Sequence, residues 1–172
     1  MDDLVLIEHH HLLRDGTPVL IRKLVPEDEV LYRAFLSEIT EEDLRLRFFA
    51  SMHAVSEDLI DKLIHYDPAH AMAFIAVDEQ SRGILGVVRL HDGEGGANAE
   101  FAILVRSRLQ DHGVGWLLMQ HMIKFATWKR LEAVQGQVLA DNNAMLIMCA
   151  ELGFHIAEDA GDHGVRTVTL SM

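Results

Sequence analysis

One stretch restricts this chain more than any other. An apolar run, Glu100 to Val105, passes through Gln110-Asp111-His112-Gly113-Val114-Gly115 directly into an amphipathic segment, Val114 to Trp128. The first part reads as a strand. In the second, Val114, Leu117, Leu118, His121, Met122 and Phe125 recur at three- and four-residue spacing, the stripe of a helix. Glycine at the junction permits positive φ and close backbone approach, and a helix N-terminus presents unpaired N–H groups at the positive end of its dipole. Together these can hold a pyrophosphate. A dinucleotide-binding GxGxxG is excluded by Leu118 at the third glycine position, and a Walker loop by Trp116 after Gly115. Gly-x-Gly alone is equally consistent with a turn that needs positive φ.

Around this unit strands and helices alternate. Val5 to Leu13 and Pro18 to Leu24 flank the turn Arg14-Asp15-Gly16-Thr17, and Pro26-Glu27-Asp28 opens a helix through about Leu36. Thr40 and Asp43 have the spacing of a capping box for a short helix, and Ser56 caps another through Ile64. Ala71 to Asp78 and Ile84 to His91 read as an antiparallel pair. Ala133 to Leu139 reads as a strand, Asn143 to Leu152 as a helix, and Phe154 to Ala157 with Val165 to Leu170 as closing strands. This order predicts an α/β or α+β sheet with helices on both faces. At 172 residues the expectation is one domain, 1–172.

Composition narrows the function classes. Fifteen Lys+Arg against 27 Asp+Glu give a net charge of −12, a field that repels nucleic acid and anionic lipid. The lone cysteine, Cys149, cannot form an internal disulfide, the amino terminus is acidic, and no apolar run nears the ~18 residues of a membrane span. A cytoplasmic protein away from membranes is expected. His9-His10-His11 alternate faces in a strand, and no HExxH or Cys/His spacing follows, so no metal is expected. His121 reads as a core histidine, and the methionine-rich stretches 116–128 and 144–152 read as core.

Asp15-Gly16-Thr17, Ile21-Arg22-Lys23-Leu24-Val25-Pro26-Glu27-Asp28, Leu46-Arg47-Phe48-Phe49, Ala99-Glu100-Phe101, the glycine loop, and Asn142 through Leu152-Gly153-Phe154 follow one another in an order that resembles the GCN5-related N-acetyltransferase (GNAT) family. The resemblance spans nearly the whole chain, and the opening half is similar to the acetyltransferase domain of bacterial Pat-type protein lysine acetyltransferases. It implies a mixed, mostly antiparallel sheet flanked by helices, with a splayed strand pair at the cofactor site. By the same resemblance Ile103, Leu104 and Val105 meet the pantetheine of acetyl-CoA. Gln110, Asp111, His112, Gly113, Val114 and Gly115 cradle the pyrophosphate, and Asn142, also suited to cap its helix, contacts CoA. Arg106 and Arg108 are placed to help, whereas Asp111 and His112 depart from the family's frequent basic or glycine choices.

Acyl transfer to an amine needs a neutral nucleophile and a proton for the departing thiolate. Glu100 is the expected base, directly or through a water. The resemblance places a glutamate there, and desolvation by Phe101 and its neighbours at the start of an apolar strand would raise its pKa. From position alone, a solvated strand-end carboxylate is the alternative. The family's usual acid is a tyrosine four residues before the Gly-Phe pair, where this chain has Cys149. A thiol can protonate a thiolate, but Met145, Met148, Cys149 and Leu152 share one helical stripe, which favours packing with water as the proton source. The expected activity is acetyl transfer from acetyl-CoA to a primary amine, a protein lysine or a small amine such as a polyamine. A non-catalytic acyl-CoA-binding module is the rival. The substrate-facing region, about Leu36 to Ser56, carries no diagnostic motif, and a homodimer is left open.

Overall fold

Apolar runs bounded by turn residues set the strands, and their register sets everything else. The computed structural model of the chain describes residues 8–40, 42, 56–93, 95–106 and 113–172. Among these, one sheet contains β1 (His9–Leu12), β2 (Pro18–Lys23), β3 (Ala71–Asp78), β4 (Ile84–Asp92), β5 (Asn98–Val105), β6 (Ala133–Leu139), β7 (His155–Glu158) and β8 (Val165–Ser171). The order is β1-β2-β3-β4-β5-β6-β8-β7, and every neighbouring pair is antiparallel except β5 with β6. Helices α1 (Glu29–Ser37) and α2 (Glu57–Ile64) cover one face, α3 (Val114–Trp128) and α4 (Asn143–Glu151) the other.

Two cores result. Tyr32, Phe35, Ile60, Ile64, Ile75 and Val87 fill the first, and Phe74, Val88, Leu118, Met122, Phe125 and Cys149 belong to the second. β3 and β4 are buried along most of their length, as central strands covered on both faces must be. His121 lies in the second core, its ring 4.4 Å from that of Phe74.

The helix starts follow their caps. Pro26 opens a 3-10 turn, Pro26–Asp28, which runs on into α1. Buried Asp28 accepts two hydrogen bonds from the Arg22 guanidinium at 2.8 Å and one from the Val25 N–H at 2.9 Å, tying β2 to α1. Ser56 Oγ accepts the Leu59 N–H at 3.2 Å and starts α2. After α4, Gly153 at φ +95 lets the Phe154 N–H return to the Cys149 carbonyl at 2.9 Å. Asp43 and Leu46 to Phe49 lie outside the described residues.

The feature that positions a site is the parting of β5 from β6. They pair only through Asn98 with Ala133, Ala99 with Val134 and Glu100 with Gln135. Beyond this, β5 continues with β4 to Val105 and β6 with β8 to Leu139, so the two strands diverge as a fork. The Phe101 ring fills its root. It lies over Gly136, where an added Cβ would stand 2.5 Å from Cε1, and it packs on Phe154 at 5.4 Å between ring centres.

Candidate active site

The fork opens into a cavity of about 610 Å³, within the range of small-molecule sites. Its main-chain chemistry follows from strand alternation. The Asn98 carbonyl accepts the Gly93 N–H and the Arg106 N–H donates to the Leu85 carbonyl, so even-numbered residues of β5 turn their backbone groups toward β4. The Phe101 C=O and the N–H and C=O groups of Ile103 and Val105 therefore face the fork beyond the last β5–β6 pair, where β6 no longer supplies ladder partners. Ile103, Leu104 and Val105 all line the cavity, although the Leu104 side chain is committed to the core under α1 and α2.

At one end stands the N-terminus of α3. Gly113 is its N-cap at φ +89, a left-handed conformation that disfavours any residue with a Cβ. The Leu117 N–H takes the Gly113 carbonyl, which leaves the N–H groups of Val114, Gly115 and Trp116 without acceptors inside the helix. Gly115 lines the cavity, and a Cβ there would meet Met148 and Val105 at an ordinary 3.6 Å, so core packing does not demand its glycine. Val114, expected in the cradle, is fully buried in the core and does not line the cavity, because its side chain packs under α3. Gln110, Asp111, His112 and Arg108 lie outside the described residues. Asn142 lines the cavity and caps α4, its Oδ1 accepting the Met145 N–H at 3.3 Å.

Glu100 marks the other end. It is the third residue of β5 rather than the first, and its side chain is 61% exposed. The desolvation expected from Phe101 is absent because successive strand residues face opposite ways, so Phe101 turns into the core and Glu100 away from it. Glu100 Oε2 lies 3.2 Å from Nε2 of His91, its cross-strand neighbour on β4. Sequence alone gave His91 no role, because only register brings the two together. Glu151, at the end of α4, is the second carboxylate lining the cavity among the described residues.

Other expectations change with the geometry. Met145 and Met148 line the cavity rather than only filling the core, because the fork uncovers one flank of α4. Arg106 is buried, pairs with Glu38 at 3.2 Å and does not line the cavity. Arg14, in the β1–β2 turn, does line it, and an arginine in a turn carries no sequence signal of that. Cys149 is fully buried outside the cavity wall, where burial pushes its thiol up to about 12. Among the described residues no His, Cys, Asp and Glu cluster could hold a metal ion, and no helix is long and apolar enough to cross a membrane.

A sequence model of the acetyltransferase (GNAT) family matches residues 33–154. An acetyltransferase of Pseudomonas aeruginosa is 29% identical over 152 residues, 87% of this chain and 82% of that protein. Among solved structures, the GNAT domain of S. lividans PAT is similar with a TM-score of 0.87 at 24% identity, covering 96% of this chain and 97% of that one. The RimL alpha-N-protein acetyltransferase, solved in complex with coenzyme A, gives 0.74 at 11% identity, with 90% and 94% covered. Both of these share the fold.

Proposed function

Because the chain belongs to the GNAT family of acetyltransferases, we propose that it moves an acetyl group from acetyl-CoA directly to a primary amine, using Glu100 as base. The observation that carries this reading is the fork: a cavity with unpaired strand amides along one wall and the start of α3 at its end. Residues 1–172 act as one acyltransferase domain in the cytoplasm on this reading.

The Ile103 N–H, facing the fork, polarises the thioester carbonyl and stabilises the oxyanion that develops there. The N–H groups at the start of α3, with Gln110 to His112 before them, hold the diphosphate, and Asn142 adds a contact from α4. Main-chain amides supply positive potential that a chain at −12 lacks in side-chain charge. Glu100, exposed beside His91, takes the ammonium proton through a water. The neutral nitrogen then attacks the carbonyl carbon, the C–S bond breaks, and the proton that the nitrogen must still lose to become an amide passes through water to the departing thiolate. Cys149 is buried away from the cavity and keeps a packing role.

For the acceptor, similarity of the opening half to Pat-type domains supports a protein lysine. A polyamine is the second reading, favoured by two carboxylates, Glu100 and Glu151, that line the cavity among the described residues. The test is CoA release from acetyl-CoA against lysine peptides, polyamines and a cell lysate. Amine-dependent thiol release is expected, and acetyl-CoA at 100 times Kd should stabilise the fold by ~2.7 kcal/mol. Binding without release across the panel would favour an acyl-CoA-binding module, and absence of binding would overturn both.

A further inference from the structure

The cavity is electrostatically polar along its length. Val19 pairs with Asp78, Val77 with Ile84 and Gly86 with Val105, so the β1–β2 turn, the β3–β4 turn and the C-terminus of β5 lie along one end of the sheet. Both α3 and α4 begin at that end, α4 following the C-terminus of β6, which runs parallel to β5. The carboxylates lie at the opposite end. Glu100 pairs with Gln135, Gln135 with Thr169 and Thr169 with His155, which closely follows Glu151.

Arg14 is the only arginine or lysine among the described residues that line the cavity. Arg22, Arg33, Arg89, Arg106 and Arg166 are each held by carboxylates or backbone carbonyls. Arg14 has no such partner among the described residues, in a chain with 27 acidic residues to choose from. Its turn is fixed: the Leu13 N–H donates to the Thr17 carbonyl and the Gly16 N–H to the Leu13 carbonyl, both at 2.9 Å. Asp15 Oδ1 accepts the Thr17 N–H at 3.0 Å and so serves the turn.

Coenzyme A carries a third phosphate, a monoester on the ribose 3′ oxygen, beyond the diphosphate assigned to the α3 amides. Such a dianion suits a guanidinium, whose planar fork matches two phosphate oxygens. We infer that Arg14 binds the 3′-phosphate of acetyl-CoA, which makes the N-terminal hairpin part of the cofactor site. The inference rests on the acyl-CoA reading above.

The test is calorimetric binding of CoA and of 3′-dephospho-CoA to the full chain and to the variants Arg14→Gln, Arg14→Lys and Arg82→Gln. Arg82 lies in the β3–β4 turn at the same end of the sheet, does not line the cavity, and controls for loss of charge alone. The unaltered chain should prefer CoA about tenfold. Arg14→Gln should abolish that preference by weakening CoA, with dephospho-CoA unchanged within about twofold, and Arg14→Lys should restore part of it. Arg82→Gln should keep the preference. Equal weakening of both nucleotides by Arg14→Gln, or of neither, overturns the role of Arg14 while leaving the acyl-CoA reading intact. An unaltered chain that binds neither nucleotide overturns both.

Discussion

At Gly136 a single hydrogen in place of a methyl group keeps the fork open. Alanine there would bring Cβ to 2.5 Å from Cε1 and 2.7 Å from Cζ of Phe101, a ring already packed on Phe154. Gly136→Ala should therefore cost about 1–3 kcal/mol, read as a lower urea midpoint, and should weaken acetyl-CoA binding as the fork deforms. Glu100 tests the chemistry instead. Because its side chain is exposed, Glu100→Gln should fold normally and keep its CoA affinity. Amine-dependent thiol release should fall by about 10²–10⁴-fold, and undiminished turnover would remove Glu100 from the mechanism.

Among the elements, the junction of β2 with α1 depends on one ion pair. Burial works against ionisation of Asp28, yet the Arg22 hydrogen bonds and the Val25 N–H outweigh it and hold the carboxyl below its usual range. A carboxylate with a depressed folded value contributes stability above its unfolded pKa and loses it as pH falls through the folded one. The junction should therefore weaken below about pH 4. Asp28→Asn leaves the Arg22 charge unmatched, and a loss of about 3 kcal/mol at pH 7 is expected. Its denaturation curve should also show a flatter acid limb, and an unchanged limb would mean that another group governs acid unfolding.

Over the whole molecule, β1 rests against α3 through histidines. Burial first, then His9, Lys124 and His10, lower the pKa of His11 from its usual 6.5. A histidine so depressed binds fewer protons folded than unfolded. Stability should decline as pH drops below 6.5 and level off once pH passes the depressed value. The melting temperature should follow this course between about pH 7 and pH 5, and His11→Gln should flatten it. Protonation of the 11 histidines also offsets part of the −12 net charge, so sedimentation at both pH values should accompany the melts to exclude association.

Periodicity, turn chemistry and capping are local, so the sequence by itself determined the elements. β3, β6 and α3 occupy the residues that the apolar patterns predict, the glycine junction adopts the positive φ argued for it at Gly113, and Cys149 is buried in its helical stripe. The tertiary structure alone decided what those elements bring together. It set Glu100 beside His91, carried Arg14 to the cavity, turned Met145 and Met148 onto its wall, and gave Arg106 to Glu38. Each outcome depends on strand register and on where β5 leaves β6. Those are fixed by contacts between residues far apart in the chain, which no local window of sequence contains.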